Sequence, residues 1–177
     1  MPHAIELYLD PVSETFVRRI WDDLLWAGLP SLAAYGTHAH RPHVSLSVCG
    51  RAVGNEAARG VSEALGESAV PIELSGVGTF PGGRGVVFLA VAVDEALIRV
   101  HRGVDDALRR AGIVPWDYYA PGRWVPHCTL AMGMPPERLG EAMAIALRGG
   151  LPLSARAIDV AVVDVANGAT SLHARLC

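Results

Sequence analysis

The sequence predicts an α+β fold of two lobes with antiparallel sheets. Three observations point there. A five-residue pattern, Pro-His-x-(Ser/Thr)-Leu, occurs at Pro42 to Leu46 and again at Pro126 to Leu130. The two histidines are 84 residues apart (127 minus 43), close to half of the 177-residue chain. Strand-like and helix-like segments also succeed one another in a similar order around each copy, as in a distant internal duplication.

The elements follow in order. Ala4 to Leu9 is a short apolar strand. Asp10-Pro11 starts a helix, since Asp caps and Pro suits the first turn. That helix carries Phe16, Val17, Ile20, Trp21, Leu24 and Leu25 on one face, and Gly28 and Pro30 stop it. Trp21 and Trp26 read as packing residues. Tyr35 to Arg41 is a polar loop with His38 and His40, and the first motif strand spans His43 to Val48. A second helix covers Asn55 to Leu65. Pro71 to Val77 and Val86 to Val93 are strands joined through the turn-forming Phe80 to Gly85. Asp94 caps a third helix that runs to Ala111 and stops at Gly112, with His101 at the edge of its apolar stripe. An aromatic loop, Trp116 to Trp124, leads into the second motif strand. A fourth helix follows Pro135-Pro136 and ends at Gly149-Gly150. Strands at Ser154 to Val165 and Thr170 to Leu176 close the chain. There is no linker, so residues 1–177 are read as a single domain.

Composition narrows the function. Hydrophobic residues make up 51% and charged residues 19%, a globular balance. The net charge of −3 argues against a general nucleic-acid binder, which would be basic. It leaves room for a nucleotide or an RNA end, where few phosphates are touched. No apolar run is long enough to span a membrane, and no secretory leader pattern stands at the start. Cys49, Cys128 and Cys177 are widely spaced. Reduced thiols in a cytoplasmic protein, taken as a monomer, are the simplest expectation.

The motifs carry the chemistry. In a strand, residues two apart share a face. His43 and Ser45 therefore point one way, and Val44 and Leu46 the other. His127 and Thr129 are paired in the same manner, with Cys128 turned away from His127. Two such units facing each other would surround a small anion. Histidine titrates near neutrality, so one neutral and one protonated imidazole can coexist. The pair can move protons to and from oxygens on phosphorus, and the hydroxyls can hold its non-bridging oxygens.

Pro-His-Val-Ser-Leu and Pro-His-Cys-Thr-Leu together resemble the 2H phosphoesterase superfamily, which has two His-x-(Thr/Ser)-hydrophobic motifs. The early strand and helix, the Gly78-Thr79-Phe80-Pro81 loop before the strand at Val86 to Val93, and the amphipathic helix after it are similar to its 2′-5′ RNA ligase-like branch. The resemblance implies two pseudo-symmetric lobes with flanking helices around a central cleft. It implies catalytic His43 and His127 and phosphate-binding Ser45 and Thr129. The substrates it implies are a cyclic nucleotide phosphate, an RNA 2′,3′-cyclic end or a 2′-5′ linkage, with no metal and no cofactor. A 2′-5′ RNA ligase, or a nucleotide-binding module without turnover, are the alternatives.

Other residues have two readings. His38, His40 and His43 match no familiar zinc spacing, so a solvated loop is the simpler reading. Phe80, Arg84, Tyr118, Tyr119, Arg123 and Trp124 are candidate substrate contacts, set against ordinary loop packing.

Overall fold

The computed structural model describes residues 1–36, 40–80 and 85–177. Among these are seven strands and four α-helices. The strands are β1 (His3–Leu9), β2 (His43–Cys49), β3 (Val70–Phe80), β4 (Gly85–Val91), β5 (His127–Met134), β6 (Leu153–Asp164) and β7 (Thr170–Arg175). The helices are α1 (Pro11–Trp26), α2 (Asn55–Leu65), α3 (Glu95–Arg110) and α4 (Leu139–Leu147). Leu32–Ala34, Asp117–Tyr119 and Pro136–Arg138 form short 3-10 turns.

Local chemistry accounts for the helix ends. Asp10 accepts from the backbone of Val12 and Ser13, and Asp94 from that of Leu97. Each satisfies donors that an uncapped first turn would leave unpaired. Gly112 follows α3 with φ of 69°, a left-handed conformation that suits glycine.

All strand pairs are antiparallel, in the order β2-β1-β6-β3-β4-β5, with β7 also on β6. Ala157 pairs with both Leu9 and Val70, so β1 and β3 take opposite edges of β6. The two lobes are thus halves of one sheet, β2-β1-β6 and β3-β4-β5, joined in the middle. The repeat lies in the order of elements. β1-α1-turn-β2-α2-β3 is followed by β4-α3-turn-β5-α4-β6. The third strand of each unit crosses into the other lobe. β3 and β4 pair antiparallel as consecutive strands, as expected of a hairpin, and in the repeat β4 is the counterpart of β1.

Two segments differ from expectation. β3 continues through Gly78 to Phe80, where a loop was expected. A Cβ on Gly78 would lie 2.6 Å from the Phe88 ring, so glycine lets that ring fold over the strand. The segment after Pro135 opens as a 3-10 turn and becomes α-helical only at Leu139. The motif alternation packs Val44, Leu46, Cys128 and Leu130 into the core with no exposure. The opposite face of each motif strand is left to a cleft.

Candidate functional site

β2 and β5 lie at the two ends of the strand order. Their neighbours fix what stands beside each motif. On the first side, Ser45 pairs with Glu6 and His43 with Tyr8. On the second, Thr129 pairs with Phe88 and His127 with Ala90. His43, Ser45, His127 and Thr129 all line one cleft of about 900 Å³. Phe80, Tyr118, Tyr119, Arg123 and Trp124 line it as well, and so do Glu6 and Tyr8. Arg84 and His38 lie outside the described residues. Among the described residues no group of three His, Cys, Asp or Glu side chains is placed to hold a metal ion.

Both imidazoles are oriented in the same way. His43 Nδ1 lies 2.7 Å from the Arg41 carbonyl, and His127 Nδ1 lies 2.7 Å from the Val125 carbonyl. A carbonyl only accepts, so each Nδ1 carries a proton and donates. Nε2 is left for proton exchange on both rings.

Two tryptophans hold the motif strands reciprocally. Trp21, from the first unit, donates to the Thr129 carbonyl at 3.2 Å. Trp124, from the second, donates to the Ser45 carbonyl at 3.0 Å. The His43 backbone N–H reaches Cys128 Sγ. Burial pushes the Cys128 thiol up to about 12, which leaves it inert as a nucleophile.

The surroundings of the two imidazoles differ. His127 meets the edge of Phe80 at 4.9 Å between ring centres and lies 5.1 Å from Phe88. Burial lowers its pKa below the ordinary 6.5, against the pull of the Val125 carbonyl, and charge on His43 lowers it further. His43 instead has a carboxylate at hand, with Nε2 3.5 Å from Glu6 Oε1. Behind it, Arg41 binds Glu14 at 2.8 Å and Asp159 at 3.1 Å and lies over the Tyr8 ring.

The aromatic loop forms the wall above Ser45. The Tyr119 hydroxyl bonds that of Ser45 and is pushed up to about 12 by burial. Tyr118 is exposed at the cleft mouth, and Arg123 pairs with Asp117. His101 is buried rather than marginal. It stacks flat on Trp124 at 4.1 Å, and its Nε2 lies 2.9 Å from the Tyr119 carbonyl. Sequence reading missed Glu6 and Tyr8. The signal was present: in Ala4 to Leu9, they are the polar-tipped members of an alternating apolar strand.

A family model described as the 2′-5′ RNA ligase superfamily matches residues 9–169. No curated protein sequence matches the chain. Among solved structures, E. coli LigT in complex with 3′-AMP is 16% identical, with a TM-score of 0.62 over 99% of this chain and 94% of that one. TT0787 of Thermus thermophilus is 17% identical, with a TM-score of 0.64 over 99% and 98%. Kluyveromyces marxianus Usb1 with uridine monophosphate is 16% identical, with a TM-score of 0.54 over 99% and 97%.

Proposed function

The chain belongs to the 2′-5′ RNA ligase superfamily, and on that premise we propose that it is a metal-independent phosphoesterase of the 2H type. Its substrate in this reading is a cyclic nucleotide phosphate or the 2′,3′-cyclic end of an RNA. One bilobal unit, residues 1–177, carries the reaction. The observation that carries the reading is the meeting in one cleft of two imidazoles, each with Nε2 available, and two hydroxyls.

The chemistry divides between the motifs. His127 is the ring whose neutral form is favoured, so it serves as the base. It takes one proton from water as the water oxygen bonds to phosphorus. His43 gives its proton to the ribose oxygen as the P–O bond to that oxygen breaks. Ser45 and Thr129 donate to the non-bridging oxygens, where charge must be held. Phe80, Tyr118, Tyr119, Arg123 and Trp124 surround the base and sugar, and Arg84 stays a candidate contact. The nucleotides bound by LigT and Usb1 support a nucleotide here. Two buried, unpaired cysteines suit a reducing, cytoplasmic setting.

The family description favours one second reading, 2′-5′ ligation, in which a ribose hydroxyl replaces water as the nucleophile and the same proton carriers act. Assays on 2′,3′-cyclic nucleotides and 2′-5′ dinucleotides separate the two. Turnover should persist in EDTA. Loss in EDTA with recovery in zinc or manganese would overturn the metal-independent route. Tight nucleotide binding with no turnover of either substrate would leave a binding module instead.

A further inference from the structure

The cleft face of β1 carries a group that the proton transfers above do not use. Glu6 pairs with Ser45 across the β1–β2 ladder, so the two side chains stand next to each other on one face. The Tyr8 hydroxyl donates to the Glu6 carboxylate, and His43 Nε2 is 3.5 Å from it. A carboxylate is an unexpected neighbour for a phosphate seat, because like charges repel. The guanidinium over the Tyr8 ring does not cancel it. Arg41 is held by Glu14 and Asp159. The equivalent position in the other lobe is Phe88, beside Thr129. One side of the seat is therefore negative and the other is not. The titratable groups around Glu6 are Tyr8 on its own strand, His43 on β2, Arg41 before it, Asp159 on β6 and Tyr119 on the aromatic loop. The Glu6 charge is felt at the Tyr119 hydroxyl, the partner of Ser45, so its field covers the seat.

We propose that Glu6 selects the charge of the phosphate that the cleft retains, accepting a singly charged diester and disfavouring a doubly charged monoester. This rests on the phosphoesterase reading. A cyclic diester carries one negative charge. Hydrolysis leaves one P–OH on the product, which ionises with a pKa of about 6. His43 has by then given its proton to the leaving oxygen, so no imidazolium stands between Glu6 and the product. His127, on the far side of the cleft from Glu6, holds the proton taken from water until it passes to solvent. The same carboxylate that tolerates substrate beside a charged His43 then repels the product and speeds its release.

The test uses two ligands that differ by one charge. These are deoxyadenosine 3′-monophosphate and its methyl ester, neither of which has a 2′-hydroxyl to react. Calorimetric titration at pH 8 and fixed ionic strength gives the affinity ratio for the wild type and for Glu6→Gln. The variant should bind the monoester about tenfold more tightly (about 1.4 kcal/mol) and the methyl ester within about twofold of wild type. Glu6→Ser should narrow the ratio likewise, which guards against a defect peculiar to one variant. An unchanged ratio, or equal shifts for both ligands, overturns the proposal. A role in orienting His43 would move both ligands together, so the ratio separates the two. If the wild type turns over a 2′,3′-cyclic nucleotide while the ratio stays fixed, the proposal alone fails. If the wild type neither turns it over nor binds either ligand, the phosphoesterase reading fails and the proposal with it.

Discussion

The two motif strands match residue for residue in their ring tautomers and their hydroxyls, yet their neighbouring strands differ in kind. β1 sets Glu6 and Tyr8 beside Ser45 and His43. β4 sets Phe88 and Ala90 beside Thr129 and His127. One imidazole stands against a carboxylate with an ionic network behind it. The other is packed against Phe80 and Phe88. In the proposed displacement the two matched imidazoles must act unequally, one as base and one as acid, and it is the adjacent strands rather than the motifs that make their surroundings unequal.

The sharpest way to break this comparison is to remove each ring. His127→Ala and His43→Ala should each cut kcat on a 2′,3′-cyclic nucleotide by about 10²–10⁴-fold. Ser45→Ala and Thr129→Ala should cost less, about tenfold to a hundredfold, as expected for one lost hydrogen bond to a charged group. Steady-state kinetics and a far-UV spectrum for each variant check this ordering. Histidine variants with near wild-type turnover would remove the acid/base assignment, however well the cleft bound phosphate.

A smaller effect tests the aromatic side alone. Phe80 shields His127 at the last position of β3. Phe80→Ala should admit water and raise the His127 pKa towards the ordinary 6.5, because burial is the main cause of its depression. The acidic limb of kcat/KM should move to higher pH, and the ring signal of His127 should titrate with it in an NMR experiment. An unmoved His127 titration would show that the Phe80 ring does not set its protonation.

These relations show where sequence reading reaches and where it stops. Helix starts at Asp10 and Asp94 were legible because a cap is a local event. The faces of the motif strands were legible because alternation is local too, and Val44, Leu46, Cys128 and Leu130 are all buried. Glu6 and Phe88 were not legible as neighbours of Ser45 and Thr129. Their meaning comes from ladders that join residues 39 and 41 positions apart (45 minus 6, 129 minus 88). The exchange of β3 and β6 between lobes has no local mark either. Trp21 and Trp26 were both read as packing. Burial bears this out for Trp21, whose bond to the Thr129 carbonyl spans more than half the chain, whereas Trp26, at the last position of α1, is 90% exposed and stands outside the core.

That reciprocal pair of indoles gives a third test. Trp21→Phe leaves the Thr129 carbonyl without this donor and shrinks a buried side chain, so it should cost about 1–3 kcal/mol of stability. Trp124→Phe loses the equivalent bond to Ser45 from a half-buried position and should cost about 1 kcal/mol. Urea denaturation gives both values. Equal costs would mean that the two staples are energetically symmetric although their surroundings are not.

The smallest expected effect concerns His101, a histidine that takes no part in the proposed proton transfers. His101 is buried against Trp124, and burial lowers its pKa below 6.5 despite the opposing Tyr119 carbonyl and Asp105. In the unfolded chain it regains the ordinary value. Between 6.5 and its lower folded value, the unfolded state therefore binds more protons than the folded one. Stability must then fall as pH drops through that window and level off below the folded value. His127 contributes in the same direction. His101→Gln keeps a donor for the Tyr119 carbonyl but cannot titrate. It should flatten the decline in stability as pH falls below about 6.5 while leaving the His127 share in place. Urea midpoints across that range measure the slope for wild type and variant. If the slope is the same in both, His101 does not sense pH in the folded state, and the acid sensitivity belongs to the cleft alone.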